Sequence, residues 1–139
     1  NSDKYDTVCA LLPTCPFRLS SDISNAFDLF EKSDCPFLIG ATEYDFPIQL
    51  ALRKQNQSDI MMPYFEDGYK VTRSQDIEKT YHPNGAIYLA TVQAFLENGT
   101  FFANEMLTYV MPAIRSFDID YPWQFELAEI IAQKQLHLK

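Results

Sequence analysis

The sequence predicts an α/β protein built on one layered sheet. Short apolar runs typical of buried strands alternate with segments whose apolar residues recur at helical spacing. The order strand, helix, strand near the start is that of a βαβ unit, whose crossover should be right-handed. The chain has 139 residues, 47% of them hydrophobic, which is enough for one modest core. We therefore expect one α/β domain over residues 1–139, part of a three-layer, Rossmann-like sheet.

The first βαβ unit contains two strand candidates and one helix. The run Thr7–Leu12 is apolar, begins with two β-branched residues and stops at a proline, which predicts a buried strand of a parallel sheet. Two prolines stiffen the loop 13–18. Residues 20–22 are of helix-capping types, and apolar residues then recur at helical spacing to about Ser33. The apolar run Phe37–Ala41 predicts the second buried strand.

Residues 46–81 have a different pattern. Polar and apolar residues alternate in short pieces, broken by Gln55–Ser58 and by Glu66–Gly68. This alternation predicts β-hairpins with one exposed side. We interpret 46–81 as a β-rich insertion into the main domain, with a methionine-rich apolar patch suited to a partner subunit.

The remaining segments return to the pattern of a layered sheet. Ala86–Ala90 and Leu107–Met111 are strand candidates, and a short helix over 92–98 should end at Gly99. A last helix should begin at Pro122. Its predicted core-facing residues are Trp123, Leu127, Ile130 and Ile131.

Composition excludes several classes of protein. The net charge of -8 argues against a general nucleic-acid binder. No apolar run approaches the roughly 20 residues that span a bilayer, and no secretory signal opens the sequence. We therefore expect a cytoplasmic protein that binds neither nucleic acid nor membrane. The cysteines, Cys9, Cys15 and Cys35, are odd in number and should be reduced, mostly buried thiols.

Asp118 and Asp120 are the most informative polar residues. On a strand, a spacing of two points both side chains to the same side. Paired carboxylates suit a divalent cation such as Mg²⁺, which often also holds substrate phosphates. The alternative is that one aspartate caps the following helix while the other is solvated.

Four motifs in one order resemble the acylneuraminate cytidylyltransferase family, the CMP-sialic acid synthetases and their relatives for other nonulosonic acids. The motifs are Pro13–Arg18 (PTCPFR), Tyr81–Tyr88 (YHPNGAIY), Phe101–Phe102 and Ser116–Asp120 (SFDID). The match extends over nearly the whole chain.

The resemblance implies an enzyme that joins CTP to a nine-carbon α-keto acid and gives a CMP-sugar and pyrophosphate. The anomeric hydroxyl of the sugar would attack the α-phosphorus of CTP, the co-substrate. Such a transfer depends on alignment and charge neutralisation more than on covalent chemistry. The family also places Mg²⁺ on Asp118 and Asp120, in agreement with the spacing argument.

The resemblance implies a set of substrate contacts. Asn84 and Tyr88 would line the sugar pocket, and Phe101 and Phe102 would form an apolar wall for the N-acyl group. Thr14 matches a threonine that contacts the sugar. Considered without the family, the two phenylalanines suit a core equally well, and the Asn84-Gly85 pair is a turn signal.

Further implied contacts come from the loop after the first strand and from the insertion. Gln75 matches a glutamine that reaches the active site, and Arg73 is a candidate for binding the sugar acid. Arg18 is a candidate substrate contact that could instead hold its own loop. In this family the insertion mediates a homodimer and can complete the pocket of the neighbouring subunit.

The sequence departs from the family at several points. It contains no counterpart of the glycine- and lysine-containing loop that grips CTP, so the chain resembles the C-terminal part of such enzymes and should not turn over CTP alone. Sialic acid enzymes usually carry Gln at Leu12, Arg at Ser74 and often Arg at His82. Either Arg73 replaces the missing arginine, or the substrate is a legionaminate-like or other bacterial nonulosonate.

Two other functions remain open from the sequence. One is a non-catalytic dimerisation or assembly module that keeps the fold without the nucleotide chemistry. The other is a cytidylyltransferase for a different keto-sugar acid such as an octulosonic acid, against which the Asn-Gly-Ala-Ile-Tyr element argues.

Overall fold

The computed structural model describes residues 4–56, 58–66, 70 and 77–137. The chain forms two compact units, one of Asn1–Thr42 with Pro83–Lys139 and one of Glu43–His82. The predicted insertion, 46–81, falls within the second unit. Arg73, Ser74 and Gln75 lie outside the described residues.

The first unit contains a four-stranded mixed sheet. Its strands are β1 (Thr7–Ala10), β2 (Phe37–Glu43), β5 (Tyr81–Thr91) and β6 (Leu107–Val110), in the order β1-β5-β2-β6. β1 is antiparallel to β5, whereas β2 and β6 are parallel. The α/β class predicted from the sequence is therefore confirmed.

Three α-helices accompany the sheet: α1 (Ser20–Glu31), α2 (Val92–Asn98) and α3 (Pro122–His137). The Asp22 carboxylate accepts a 2.8 Å hydrogen bond from the Leu19 N–H and so caps the start of α1. The hydroxyl of Thr91 caps α2. Gly99 ends α2 in the left-handed region, at φ 71°, as the sequence predicts.

The core lies between α1 and the two central strands. Leu38 on β2 and Ile87 and Leu89 on β5 are fully buried, because strands covered on both sides leave no exposed face. Ala26 and Phe30 of α1 pack into the same cluster. The predicted helix face and both central strands are confirmed.

The first strand differs from the expectation. Thr7–Leu12 was predicted as a buried strand of a parallel sheet, but β1 pairs antiparallel with β5 and lies at one end of the described sheet. Cys9 is exposed there and Cys35 is half-buried, so Cys15 is the one fully buried thiol. An apolar run shows that a segment can form a strand, but it does not show which partner the strand takes.

The face of the last helix was predicted correctly only at Ile131, which is half-buried. Trp123 and Ile130 are 59% and 52% exposed, and Leu127 is exposed as well. Ala128 is the buried residue of this helix. The buried face of the helix therefore passes through Ala128 and Ile131, because residues three apart lie on one side of a helix.

The second unit contains an antiparallel pair, β3 (Leu52–Lys54) and β4 (Met61–Pro63), in which Arg53 faces Met62. This ladder confirms a predicted hairpin. Several large apolar side chains of the described part are exposed, namely Phe46, Leu52, Ile60, Met61, Met62, Tyr64 and Phe65.

Within the residues that the structure describes, no helix has the length and apolarity that a bilayer crossing requires.

Candidate functional site

The loop that follows β1 is fixed to β5 by one backbone hydrogen bond and by the Arg18 side chain. The Leu12 N–H donates to the Gly85 carbonyl at 3.4 Å. The Arg18 guanidinium donates through Nη1 to the carbonyl of Ala86 at 2.7 Å and to that of Leu12 at 3.2 Å. Arg18 therefore supports its own loop, as one of the two interpretations of the sequence proposed, and its contact with substrate stays a prediction.

Gly85 provides the close approach between this loop and β5. It has φ +72°, and a Cβ atom built on it would lie 3.1 Å from Cys15 Sγ and 3.2 Å from Leu12 Cδ1. The same Cβ position lies 3.7 Å from Asp118 Oδ2. A side chain at this position would be crowded by Cys15 and Leu12, so the glycine allows the loop and β5 to pack closely beside the Asp118 carboxylate.

The acidic segment, residues 115–120, has a different conformation from the predicted strand. β6 ends at Val110, a 3-10 turn spans Ala113–Arg115, and residues 116–120 have no regular structure. The strand argument for Asp118 and Asp120 is therefore wrong, because Pro112 lies where a continued strand would need its backbone N–H. Asp118 is half-buried, whereas Asp120 is exposed.

Two contacts place the segment against the loop. The Ile119 N–H donates to the Thr14 carbonyl at 3.0 Å. The Cys15 thiol lies 3.6 Å from Asp118 Oδ1. At the start of α3, the N–H groups of Asp120 and Tyr121 donate to the side-chain oxygen of Gln124. Gln124 therefore has the capping role that was proposed for an aspartate.

Asn84 connects β5 with the start of the acidic segment. It is 3% exposed, and its amide donates to Ser116 Oγ at 2.9 Å while its Oδ1 accepts from the Ala86 N–H. Ser116 in turn donates to the Pro112 carbonyl. Because these bonds occupy both ends of the amide, a sugar contact through the Asn84 side chain would require an exchange of partners.

Aromatic side chains cluster around Tyr88 of β5. The Tyr88 ring is 5.4 Å from that of Phe101 and 6.1 Å from that of Phe102, and Phe95 contacts Phe101 at 4.6 Å. Burial raises the pKa of Tyr88, and the negative charge of Asp118 raises it further. Tyr88 and both predicted phenylalanines therefore form one aromatic cluster, whose Tyr88 hydroxyl is influenced by the Asp118 carboxylate.

Cys15 is the site residue that the sequence interpretation missed. Burial and the neighbouring Asp118 carboxylate raise its pKa to about 12, so it remains a neutral thiol near pH 7. Its place in the Pro13–Arg18 motif was the available signal.

Behind the site, an ion pair holds the acidic segment to α1. Arg115 donates to the Asp22 carboxylate through Nη2 at 2.9 Å and Nε at 3.1 Å. Tyr109 donates to the same carboxylate. Burial acts to raise the pKa of Asp22, but the hydrogen bonds from Arg115, Leu19 and Tyr109 outweigh it and the net pKa is lowered. Asp22 is therefore an anion in the folded protein.

The residues present fit a hydrated magnesium ion. In the described part of the chain no group of three or more His, Cys, Asp or Glu is gathered for a metal. Mg²⁺ needs fewer protein ligands, since it retains waters and binds substrate phosphates through one or two carboxylates. Asp118, which is half-buried, and Asp120, which is exposed two residues on, are the carboxylates that could supply such ligands.

Comparison with known proteins agrees with the motifs, although no protein-family model matches the chain. The pseudaminic acid cytidylyltransferase of Campylobacter jejuni strain 81-176 is 34% identical over 127 residues, which is 91% of this chain and 54% of the relative. The N-acylneuraminate cytidylyltransferase of Escherichia coli O18:K1:H7 is 36% identical over 94% of the chain and 31% of the relative. The CMP-N,N'-diacetyllegionaminic acid synthase of Legionella pneumophila is 25% identical over 90% of the chain and 53% of the relative.

These relatives share one class, that of cytidylyltransferases for sugar acids. Over the part of those enzymes that it spans, the chain belongs to the acylneuraminate cytidylyltransferase family. It spans about half the length of the Campylobacter relative.

Proposed function

We propose that this chain carries the metal- and sugar-binding part of a cytidylyltransferase that activates a nonulosonic acid with CTP. The observation that carries the proposal is the arrangement around β5. Asp118 adjoins Gly85 and Cys15, and it raises the pKa of Tyr88, whose ring contacts Phe101 and Phe102.

In the proposed reaction the anomeric hydroxyl of the sugar attacks the α-phosphorus of CTP and pyrophosphate leaves. Asp118 and Asp120 would hold Mg²⁺, which supplies charge neutralisation for the phosphates. The Thr14–Ile119 hydrogen bond keeps the acidic segment against the loop, and Phe101 and Phe102 offer an apolar surface for an acyl group. The chain's own contribution is orientation, which phosphoryl transfer requires most.

The substrate class follows from the names of the relatives. They are described as acting on pseudaminic, N-acylneuraminic and diacetyllegionaminic acids, all of them nonulosonic acids. We propose a nonulosonic acid as substrate and pseudaminic acid as the first to test. Arg73 and Gln75 remain proposed contacts to the sugar acid.

Calorimetric titration with CMP-pseudaminic acid and CMP-N-acetylneuraminic acid tests the proposal. We expect binding that requires Mg²⁺ and that Asp118→Ala abolishes, because the phosphate charge then loses its counter-ion. Asp28→Ala is the matched control, since Asp28 is an exposed aspartate of α1. Equal binding by Asp118→Ala and the unchanged protein would contradict the metal assignment.

We also propose that this polypeptide alone does not turn over CTP, because its sequence has no counterpart of the family's phosphate-binding loop. A pyrophosphate-release assay with CTP, Mg²⁺ and each sugar acid should stay at background. Formation of a CMP-sugar would refute this restriction while supporting the reaction class.

The exposed apolar residues of the second unit favour a homodimer as part of the proposed function. A monomer rarely leaves so many large apolar side chains in one small unit exposed. Met61→Glu and Ile60→Asp should shift the protein toward the monomer in sedimentation velocity, because an interface core does not tolerate an unpaired charge. Asp59→Ala, at an exposed neighbour, is the control. A wild-type monomer at high protein concentration would exclude the dimer.

A further inference from the structure

The Cys15 side chain joins three parts of the site. Its sulfur is fully buried and lies 2.8 Å from the Asn84 carbonyl oxygen and 3.6 Å from Asp118 Oδ1. The two partners are 69 and 103 residues away in sequence. One thiol proton therefore faces two acceptors, one on β5 and one on the acidic segment.

The two oxygens of Asp118 have different surroundings. Oδ1 faces the thiol, and Oδ2 lies 3.7 Å from the position of the missing Cβ of Gly85. A buried thiol is a weak donor, but the low dielectric around it strengthens a hydrogen bond to a carboxylate. Such a contact through Oδ1 fixes the rotation of the carboxylate and leaves Oδ2 free of the thiol.

We propose that Cys15 is a positioning residue for Asp118, whose thiol hydrogen bond to Oδ1 orients the carboxylate so that Oδ2 can bind a divalent cation. The orientation stands on the geometry alone. Its consequence for the cation rests on the proposed function, because that proposal places Mg²⁺ on Asp118. Partners that orient a metal-binding carboxylate typically affect metal affinity without touching the ion.

The competing explanation is that the thiol only fills space in the core. The two explanations differ in what happens to the S–H bond when Asp118 is changed. A purely space-filling thiol bonded to the Asn84 carbonyl would keep its S–H vibration, whereas a shared thiol would not.

Infrared spectroscopy of the S–H stretch tests the contact without metal. In a Cys9→Ala, Cys35→Ala background, Cys15 gives the single S–H band. We expect Asp118→Ala to shift this band and Asp28→Ala to leave it in place. An S–H band that is unchanged by Asp118→Ala would overturn the proposal.

Titration with Mn²⁺, followed by electron paramagnetic resonance, tests the consequence in the intact chain. Cys15→Ala should weaken Mn²⁺ binding about tenfold. Cys15→Ser keeps a donor and should restore most of the affinity, and Cys9→Ala, at an exposed cysteine, should change nothing. Wild-type affinity in Cys15→Ala, even with a lower melting temperature, would overturn the positioning role.

The failure of the proposed function gives a different result. If Asp118→Ala binds Mn²⁺ as the wild type does, or if the wild type binds none, the metal assignment falls. The infrared shift still decides whether Cys15 orients Asp118. Should Cys15→Ala fail to fold, Cys15→Ser and the infrared comparison of Asp118→Ala keep the proposal open to refutation.

Discussion

Replacing Arg115 with alanine should lower the free energy of unfolding by about 3 kcal/mol, because it leaves a buried carboxylate without its cation. The Asp22 side chain is only 2% exposed and accepts two hydrogen bonds from Arg115. The magnitude is at the low end for broken buried pairs, since Arg115 itself is 28% exposed. Urea denaturation measures the change.

The control is Glu43→Gln, which breaks the exposed pair of Glu43 with Lys79. Exposed ion pairs contribute little, so this variant should unfold as the wild type does. The double variant Arg115→Met, Asp22→Leu should recover part of the loss, because it removes the unpaired charge together with its partner. Equal unfolding midpoints for Arg115→Ala and wild type would contradict the buried pair.

The same pair predicts a pH dependence. The folded-state pKa of Asp22 is lowered, so its contribution to stability is complete above the unfolded value and is lost as pH falls through the folded value. Wild-type stability should therefore decline in acid below about pH 4, the ordinary range of an aspartate. Asp22→Asn should be less stable at neutral pH and should decline less in acid. An equal loss of stability in acid for the wild type and Asp22→Asn would contradict the lowered pKa of Asp22.

Gly40→Ala should also destabilise the protein, by about 3 kcal/mol, through overpacking and a lost buried hydrogen bond. A Cβ at Gly40 would lie 2.7 Å from Asn84 Oδ1 and 3.2 Å from the Ile87 N atom. The backbone of β5 cannot move away without breaking its pairing, so the Asn84 amide must yield. Because that amide holds Ser116, the disturbance should reach the acidic segment.

Gly99→Ala is the matched control. Gly99 has nothing within 4 Å of an added Cβ and differs only in its positive φ. The strain of a left-handed alanine should cost about 1 kcal/mol, well below the loss at Gly40. Thermal unfolding of both variants separates the two effects. An equal loss of stability in Gly40→Ala and Gly99→Ala would show that crowding of Asn84 does not destabilise the protein.

Local sequence signals predicted the parts of the fold that local forces determine. The Asn98-Gly99 stop of α2, the capping role of Asp22 and the central strands follow from propensity, capping and burial. The edge position of β1 was not predictable in this way, because its partner Thr91 is far away in sequence. The prediction of the buried face of α3 was mostly wrong for the same reason.

In the candidate site, too, some features were predictable from local sequence and others depend on distant residues. The motifs named Asp118, Tyr88 and the two phenylalanines, and the structure places Tyr88 against both phenylalanines. The internal bonding of Asn84 and the contact of Cys15 with Asp118 depend on residues up to 103 positions away. Spacing along the chain therefore could not reveal them.

Asp118 is proposed to bind a divalent cation close to Gly85 of β5. Mn²⁺ added in small amounts to ¹⁵N-labelled protein should broaden the amide signals of Cys15, Gly85 and Ile119 first, because paramagnetic relaxation falls steeply with distance. Asp118→Ala should remove this broadening. Early broadening confined to other acidic surfaces, with these three signals intact, would contradict the account.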